Sequence, residues 1–406
     1  MRRLPLSDEL THRVRAPSVS PFWVRAGAIT FRRMLRREQR IEQYDIEGLD
    51  RLAELIDRGD GVLIAPNHCD DADAGVVFEL SMRLHRPFFY MAAFQIFQGK
   101  AGYVLPRVGC FPVDREGTDL RAFKTAVELL GDRPNPLVVF PEGEIYHMAD
   151  RLTPIREGVA TIACSALKKR RAAGKTVWIV PIGLKYRFLD DHDPRPALDA
   201  QMTSLEAHLR RQTRPGRSLV DRIYAFAEGA VCLKEIEYLG SARSGPLADR
   251  LAELREHILG AMEERRFGTR KSGPVPVRVK ELRRACLDAL SNARTDPEPI
   301  AEARQDLNDL FVVIQMFSYP GDYVRDCPTL ERAAEVLLKL EQDTLGIPFP
   351  SPRGPRRAVV RVGEPIDVGA FANGSERPRR AASALTTTLE ERLQGLLDAI
   401  GPGRPL

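Results

Sequence analysis

Tryptophan is scarce in this 406-residue chain, with two, histidine is nearly so at seven, and aromatic residues together reach only 7%. The six cysteines (69, 110, 164, 232, 286 and 327) are scattered and form no CxxC pair, which argues against a disulfide framework or a structural zinc site and for a reducing compartment. No window approaches 18 uninterrupted apolar residues, so no transmembrane helix is expected. The opening MRRLPLSDELTHRVR has neither an apolar core nor a small-residue cleavage site, so a secretory signal is not expected. A composition of 43% hydrophobic and 29% charged residues excludes a disordered or low-complexity protein, and the length suits two or three folding units or one domain with a large insertion.

What is present is unevenly charged. The net charge is +5, yet residues 1–40 carry ten arginines against Asp8, Glu9 and Glu38, a net +7, which leaves −2 for the rest. A basic end on a near-neutral body implies an anionic partner. Residues 18–38 interleave Phe22, Trp23, Ile29, Phe31 and Leu35 with Arg25, Arg32, Arg33, Arg36 and Arg37. A helix of this composition suits an anionic membrane interface, and it suits equally a helix packed on its own chain with solvated arginines.

Strand-like and helix-like segments alternate up to about residue 190. The runs GVLIAP (61–66), PLVVF (136–140) and TVWIVPIGLKY (176–186) read as strands, with short extended pieces near 87–92 and 108–113. Helices are expected at 47–59, 74–84, 117–131 and 156–172. Such alternation predicts an α/β sheet with covered faces. From 195 to 346 only amphipathic helices are predicted, and residues 190–350 are charge-balanced, with 27 acids and 23 bases. A strand at 358–362 and a closing helix at 381–399 follow. A lone strand needs a sheet, so 358–362 should rejoin the first one. The expected organisation is 1–44 as a basic amphipathic segment, 45–190 as the first part of an α/β domain and 191–350 as a helical insertion. Residues 351–406 would then supply the last strand of that domain and a C-terminal helix.

Four polar clusters sit at strand ends, where open α/β sheets place their sites. Asn67-His68-Cys69-Asp70-Asp71-Ala72-Asp73 follows the first buried strand. His68 can serve as a general base near neutral pH if a carboxylate fixes its tautomer. Contact between residues 68 and 73 requires a turn between them; otherwise Asp73 is simply a helix N-cap and His68 a loop residue. A metal cluster of Asp70, Asp71 and Asp73 is a weaker alternative. Gly109-Cys110-Phe111-Pro112-Val113-Asp114-Arg115 ends in an arginine able to grip a phosphate. Phe140-Pro141-Glu142-Gly143 ends a strand in a carboxylate and a glycine, and Val180-Pro181-Ile182-Gly183 would form an apolar wall. Each cluster alone is an ordinary turn.

Together, in this order and spacing, they carry a resemblance. NHCDDAD has the form NHxxxxD, GCFPVDR is similar to a G-x-x-F-x-x-R block, and FPEG and VPIG resemble the third and fourth blocks of the glycerolipid acyltransferases, the family typified by 1-acylglycerol-3-phosphate acyltransferase. RVGEPIDV (361–368) looks like that family's closing segment. The resemblance covers roughly 45–190 and 355–370 and implies a glycerol-3-phosphate acyltransferase-like fold: a mixed sheet flanked by helices, here with an all-helical insertion.

It further implies acyl transfer from acyl-CoA or acyl-carrier protein, as co-substrate, to a hydroxyl of a lysophospholipid or glycerophosphate-type acceptor at the cytoplasmic face of a membrane. By that resemblance His68 would be the base and Asp73 its orienting acid. Asn67, Arg115, Glu142 and Gly143 would bind substrate, and neither metal nor cofactor is needed. The third block of the family commonly continues T-R-S, whereas here Glu144-Ile145-Tyr146-His147 follow. Charge for an acceptor phosphate would then come from Arg115, with Arg151 or Arg156 helping, or the acceptor is not a phosphomonoester. A lipid- or thioester-binding protein without turnover is the competing class. No nucleic-acid-binding motif accompanies the arginines.

Overall fold

The computed structural model describes residues 16–114, 119–209, 216–292, 297–373 and 378–406. They form two compact units: one runs up to Pro194 and resumes over Ser351–Gly403, the other comprises Arg195–Pro350 with Arg404–Leu406.

The first unit is built on one eight-stranded mixed sheet. Its strands are β1 (Ile41–Glu47), β2 (Gly61–Pro66), β3 (Phe89–Ala93), β4 (Cys110–Val113), β5 (Leu137–Val138), β6 (Val177–Phe188), β7 (Arg356–Val362) and β8 (Ile366–Asp367). The spatial order is β1-β7-β6-β2-β5-β3-β4, with β8 also paired to β6. β2 is parallel to both of its neighbours, β5 and β6. All six of its residues are buried, which is why GVLIAP is an unbroken apolar run. Val62 and Ile64 enter the core on one face, Leu63 and Ala65 the core on the other.

The main helices of this unit are α1 (Pro21–Arg37), α2 (Leu49–Asp57), α3 (Asp73–Arg83), α4 (Leu120–Asp132) and α5 (Gly158–Ala172), with a long closing helix at Pro378–Ile400. α1 and α3 pack on the face that holds Val62 and Ile64, while α4, α5 and the closing helix cover the other.

β7 lies between β1 and β6, parallel to the first and antiparallel to the second. The strand that follows the helical segment is therefore interior to the sheet. β1 is an element that sequence periodicity does not reveal. Ile41-Glu42-Gln43-Tyr44-Asp45-Ile46-Glu47 is an edge strand with an irregular register against β7, and its burial follows no clean alternation. Its acids serve β7, where Arg361 pairs with Asp45 at 2.9 Å and Glu47 at 3.1 Å.

The second unit is helical among its described residues, apart from one isolated bridge between Thr329 and Pro405. Its main helices are Arg195–His208, Leu219–Leu239, Leu247–Phe267, Val275–Asn292, Pro297–Phe317 and Leu330–Leu345. Buried ion pairs staple them: Glu235 to Arg250 at 2.7 Å and Glu263 to Arg278 at 2.8 Å. Among the described residues no helix is long and apolar enough to cross a membrane.

Candidate active site

The site forms where β2 ends. Asn67 turns its amide sideways onto β6, donating to the Leu184 carbonyl at 3.1 Å and accepting from the Leu184 N–H at 2.7 Å. With 1% of its surface exposed, Asn67 fixes the course of the chain into His68.

His68 and Asp73 meet. Nδ1 of His68 lies 2.9 Å from Asp73 Oδ2. Five residues of regular helix would hold the two side chains apart, so the intervening turn is what permits contact. That turn is made by the carboxylate itself: Asp73 Oδ2 also accepts from the backbone N–H of Cys69 at 2.7 Å and of Asp70 at 2.9 Å. Its other oxygen accepts from the Tyr186 hydroxyl at 2.6 Å. A carboxylate that only accepts requires the proton to sit on Nδ1 of His68, leaving the Nε2 lone pair available as a base. Nε2 has no partner among the described residues, and 16% of the side chain is exposed. The imidazole ring stacks on Phe140, with centroids 4.1 Å apart.

Glu142 grips the same loop from β5's side of the sheet. Oε1 accepts from the His68 N–H at 2.7 Å, and Oε2 accepts from the Thr153 N–H at 3.1 Å and from the Thr153 hydroxyl. Glu142 is 4% exposed, so its oxygens position His68 and leave little room for substrate hydroxyls. Burial pushes its carboxyl up to about 7, against the hydrogen bonds from Thr153 and His68. Asp71 stands half-buried in the same turn. Burial, then the charges of Asp70 and Asp73, push it up to about 7.

Gly143 has φ +78, a backbone conformation that side chains rarely adopt, and a Cβ added there would meet Arg156 at 2.8 Å. The Arg156 guanidinium is thus packed on the glycine of the FPEG turn, and its backbone N–H donates to Pro141 at 2.9 Å. Among the described residues it has no ion-pair partner. Beyond the turn, Tyr146, His147, Met148 and Ala149 are buried, so the segment that departs from the T-R-S pattern runs into the interior.

Arg115 lies outside the described residues. The three aspartates of DDAD do not converge: Asp70 is bonded to Arg356 and Asp73 to His68 and Tyr186. Three contributors are absent from the sequence-based candidates. Tyr186 follows VPIG on β6, and its place at the end of an apolar run is the one available signal. Thr153 and Arg356 carry no local signal, because their partners are far away in the chain.

No curated protein matches the chain. Residues 43–185, the stretch that supplies β2, the His68–Asp73 turn, the Glu142 turn and most of β6, match the family model described as Acyltransferase.

Proposed function

We propose that the protein moves a fatty acyl group from an acyl thioester, acyl-CoA or acyl-carrier protein, to a hydroxyl of a lysophospholipid or glycerophosphate-type acceptor at the cytoplasmic face of a membrane. The observation that carries this reading is the His68–Asp73 contact, held by the Tyr186 hydroxyl and two backbone N–H groups. Nε2 of His68 takes the proton from the acceptor hydroxyl, and the oxygen attacks the thioester carbonyl carbon. The tetrahedral intermediate collapses with cleavage of the C–S bond, and the imidazolium returns its proton to the departing thiolate. Asp73 keeps the imidazole in the right tautomer and stabilises its transient charge. No acyl-enzyme intermediate is required. Glu142, bonded to the His68 N–H, acts as a positioning residue.

Arg156 supports an anionic group on the acceptor. It is half-buried beside Gly143 and unpaired among the described residues, which leaves its planar fork available to a phosphate. The test is a thioester-release screen in which several acyl-CoA lengths and acyl-carrier protein are offered against lysolipids, glycerol phosphate and amino-containing lipids. Thiol release that depends on one acceptor class and disappears in His68→Ala supports the reading. Thioester binding without release, for every acceptor, would replace it with a carrier function.

A further inference from the structure

We propose that the outer face of α1, joined to the helical turn at Ala101–Val104, docks the protein on an anionic lipid surface. α1 has two dissimilar sides. Val24, Ala28 and Leu35 are buried, and Leu35 rests on Gly75 of α3, where an added Cβ would lie 2.9 Å from its Cδ2. The opposite stripe comprises Phe22, Arg25, Ile29, Arg33 and Arg36, which recur at the three- and four-residue spacing of one helix face. Phe22 and Ile29 are 70% and 72% exposed. The three arginines have no ion-pair partner among the described residues, whereas Arg32, off this stripe, is held by Glu79 at 2.7 Å. No acid interrupts α1, PFWVRAGAITFRRMLRR.

The apolar surface continues onto a second segment. Phe22 meets Trp23 edge-on at 5.5 Å between centroids, and Trp23 meets Tyr103 in the same way at 5.9 Å. Tyr103 is 54% exposed and has the Arg107 guanidinium over its ring at 3.4 Å. Backbone bonds from Ser18 to Pro106 at 2.8 Å and from Ser20 to Arg107 at 3.0 Å tie the two segments together. Aromatic rings at headgroup depth with arginines beside them, in the plane of one helix, are what an interfacial helix presents to acidic lipid. A polyanion without hydrocarbon, such as duplex DNA, would satisfy the arginines and leave Phe22 and Ile29 in water. α3, on which α1 leans, begins at Asp73, so the docking helix is braced against the helix that starts with the site carboxylate. The proposal holds whether or not His68 is catalytic, and its test reads binding alone.

The test is co-sedimentation of the full chain with phosphatidylcholine vesicles, with and without phosphatidylglycerol. Phosphatidylglycerol-dependent binding is expected. It should fall at least ~10-fold in Arg25→Glu/Arg33→Glu/Arg36→Glu and likewise in Phe22→Ser/Ile29→Ser/Tyr103→Ser. On the unaltered protein, brominated phosphatidylglycerol should quench tryptophan emission, and Trp23→Phe should remove that quenching. Undiminished binding by both triple variants, absence of Trp23 quenching, or displacement by duplex DNA with no need of Phe22 and Ile29 would overturn the proposal.

Discussion

Arg356, the first residue of β7, donates through Nη1 to Asp70 Oδ2 at 2.7 Å across 286 positions of chain, and so joins the strand after the helical insertion to the loop between His68 and Asp73. Both side chains are 7% exposed. Burial alone would raise the Asp70 carboxyl, but the Arg356 charge and hydrogen bonds outweigh it and hold it below the usual range. Arg356→Ala strands a buried carboxylate and should cost on the order of 3–5 kcal/mol, read from urea denaturation. Asp70→Asn/Arg356→Met should recover part of that loss. Singles as stable as the parent would show that the pair contributes nothing.

Loss of the base should be functional rather than structural. His68→Ala is expected to lower turnover by at least ~100-fold while the melting temperature changes little. Asp73→Asn should impair both properties, because the carboxylate also accepts from Cys69, Asp70 and Tyr186. Tyr186→Phe separates the two effects: it removes one hydrogen bond to Asp73 and leaves His68 in place, so a milder loss of turnover is expected. A His68→Ala protein with near-normal turnover would sink the mechanism.

Stability should fall as pH rises from about 4.5 to about 7. The folded protein raises the Glu142 carboxyl from 4.5 to about 7, so the folded state holds that proton more tightly than the unfolded chain. Its contribution is fully present below the unfolded value and is lost as pH climbs through the folded one. Asp71, raised to about 7, acts in the same direction. Glu142→Gln and Asp71→Asn should each flatten the urea midpoint against pH in this window.

The central strands were legible because burial on both faces writes an unbroken apolar run, as in GVLIAP. His68, Asp73 and Glu142 were legible because each follows such a strand in a short polar block. β1 was not, because an irregular edge strand rich in Glu and Asp has no burial periodicity to display. Nor were Thr153 and Arg356, whose meaning lies in partners 11 and 286 positions away. Residue type and strand end mark Glu142 in the sequence, but the direction of its carboxylate, towards the N–H groups of His68 and Thr153, is visible only in the structure.

A fragment ending at residue 190 should be insoluble or unstable. It lacks β7 and therefore leaves β1 without its neighbour and one edge of β6 unpaired. It also loses Arg356, which strands Asp70, and the closing helix whose Leu385, Leu389 and Leu393 complete one core. Expression and circular dichroism of the fragment decide the matter. A soluble fragment with cooperative unfolding would mean that the first 190 residues fold without the strand that returns.

Acceptor recognition offers a sharper test of Arg156. A phosphate entering a partly desolvated site needs compensating charge, and Ile145 stands where the T-R-S pattern would supply an arginine. Arg156 reaches the FPEG turn from the chain just ahead of α5, against Gly143. Hydrogen bonds to charged groups contribute roughly 1.5–3 kcal/mol, so Arg156→Ala should raise KM for a phosphomonoester acceptor by about 10-fold or more. Turnover at saturation should change little, because the His68–Asp73 contact does not involve Arg156. Arg156→Lys should restore only part of the loss, since an ammonium keeps the charge and forfeits the planar fork. With a phosphate-free alcohol, all three proteins should behave alike. The same measurement on Arg115→Ala shows how the charge is shared between the two arginines. Equal losses for phosphorylated and neutral acceptors in Arg156→Ala would mean that the side chain only supports the turn through Gly143, and an unchanged KM would remove it from acceptor binding altogether.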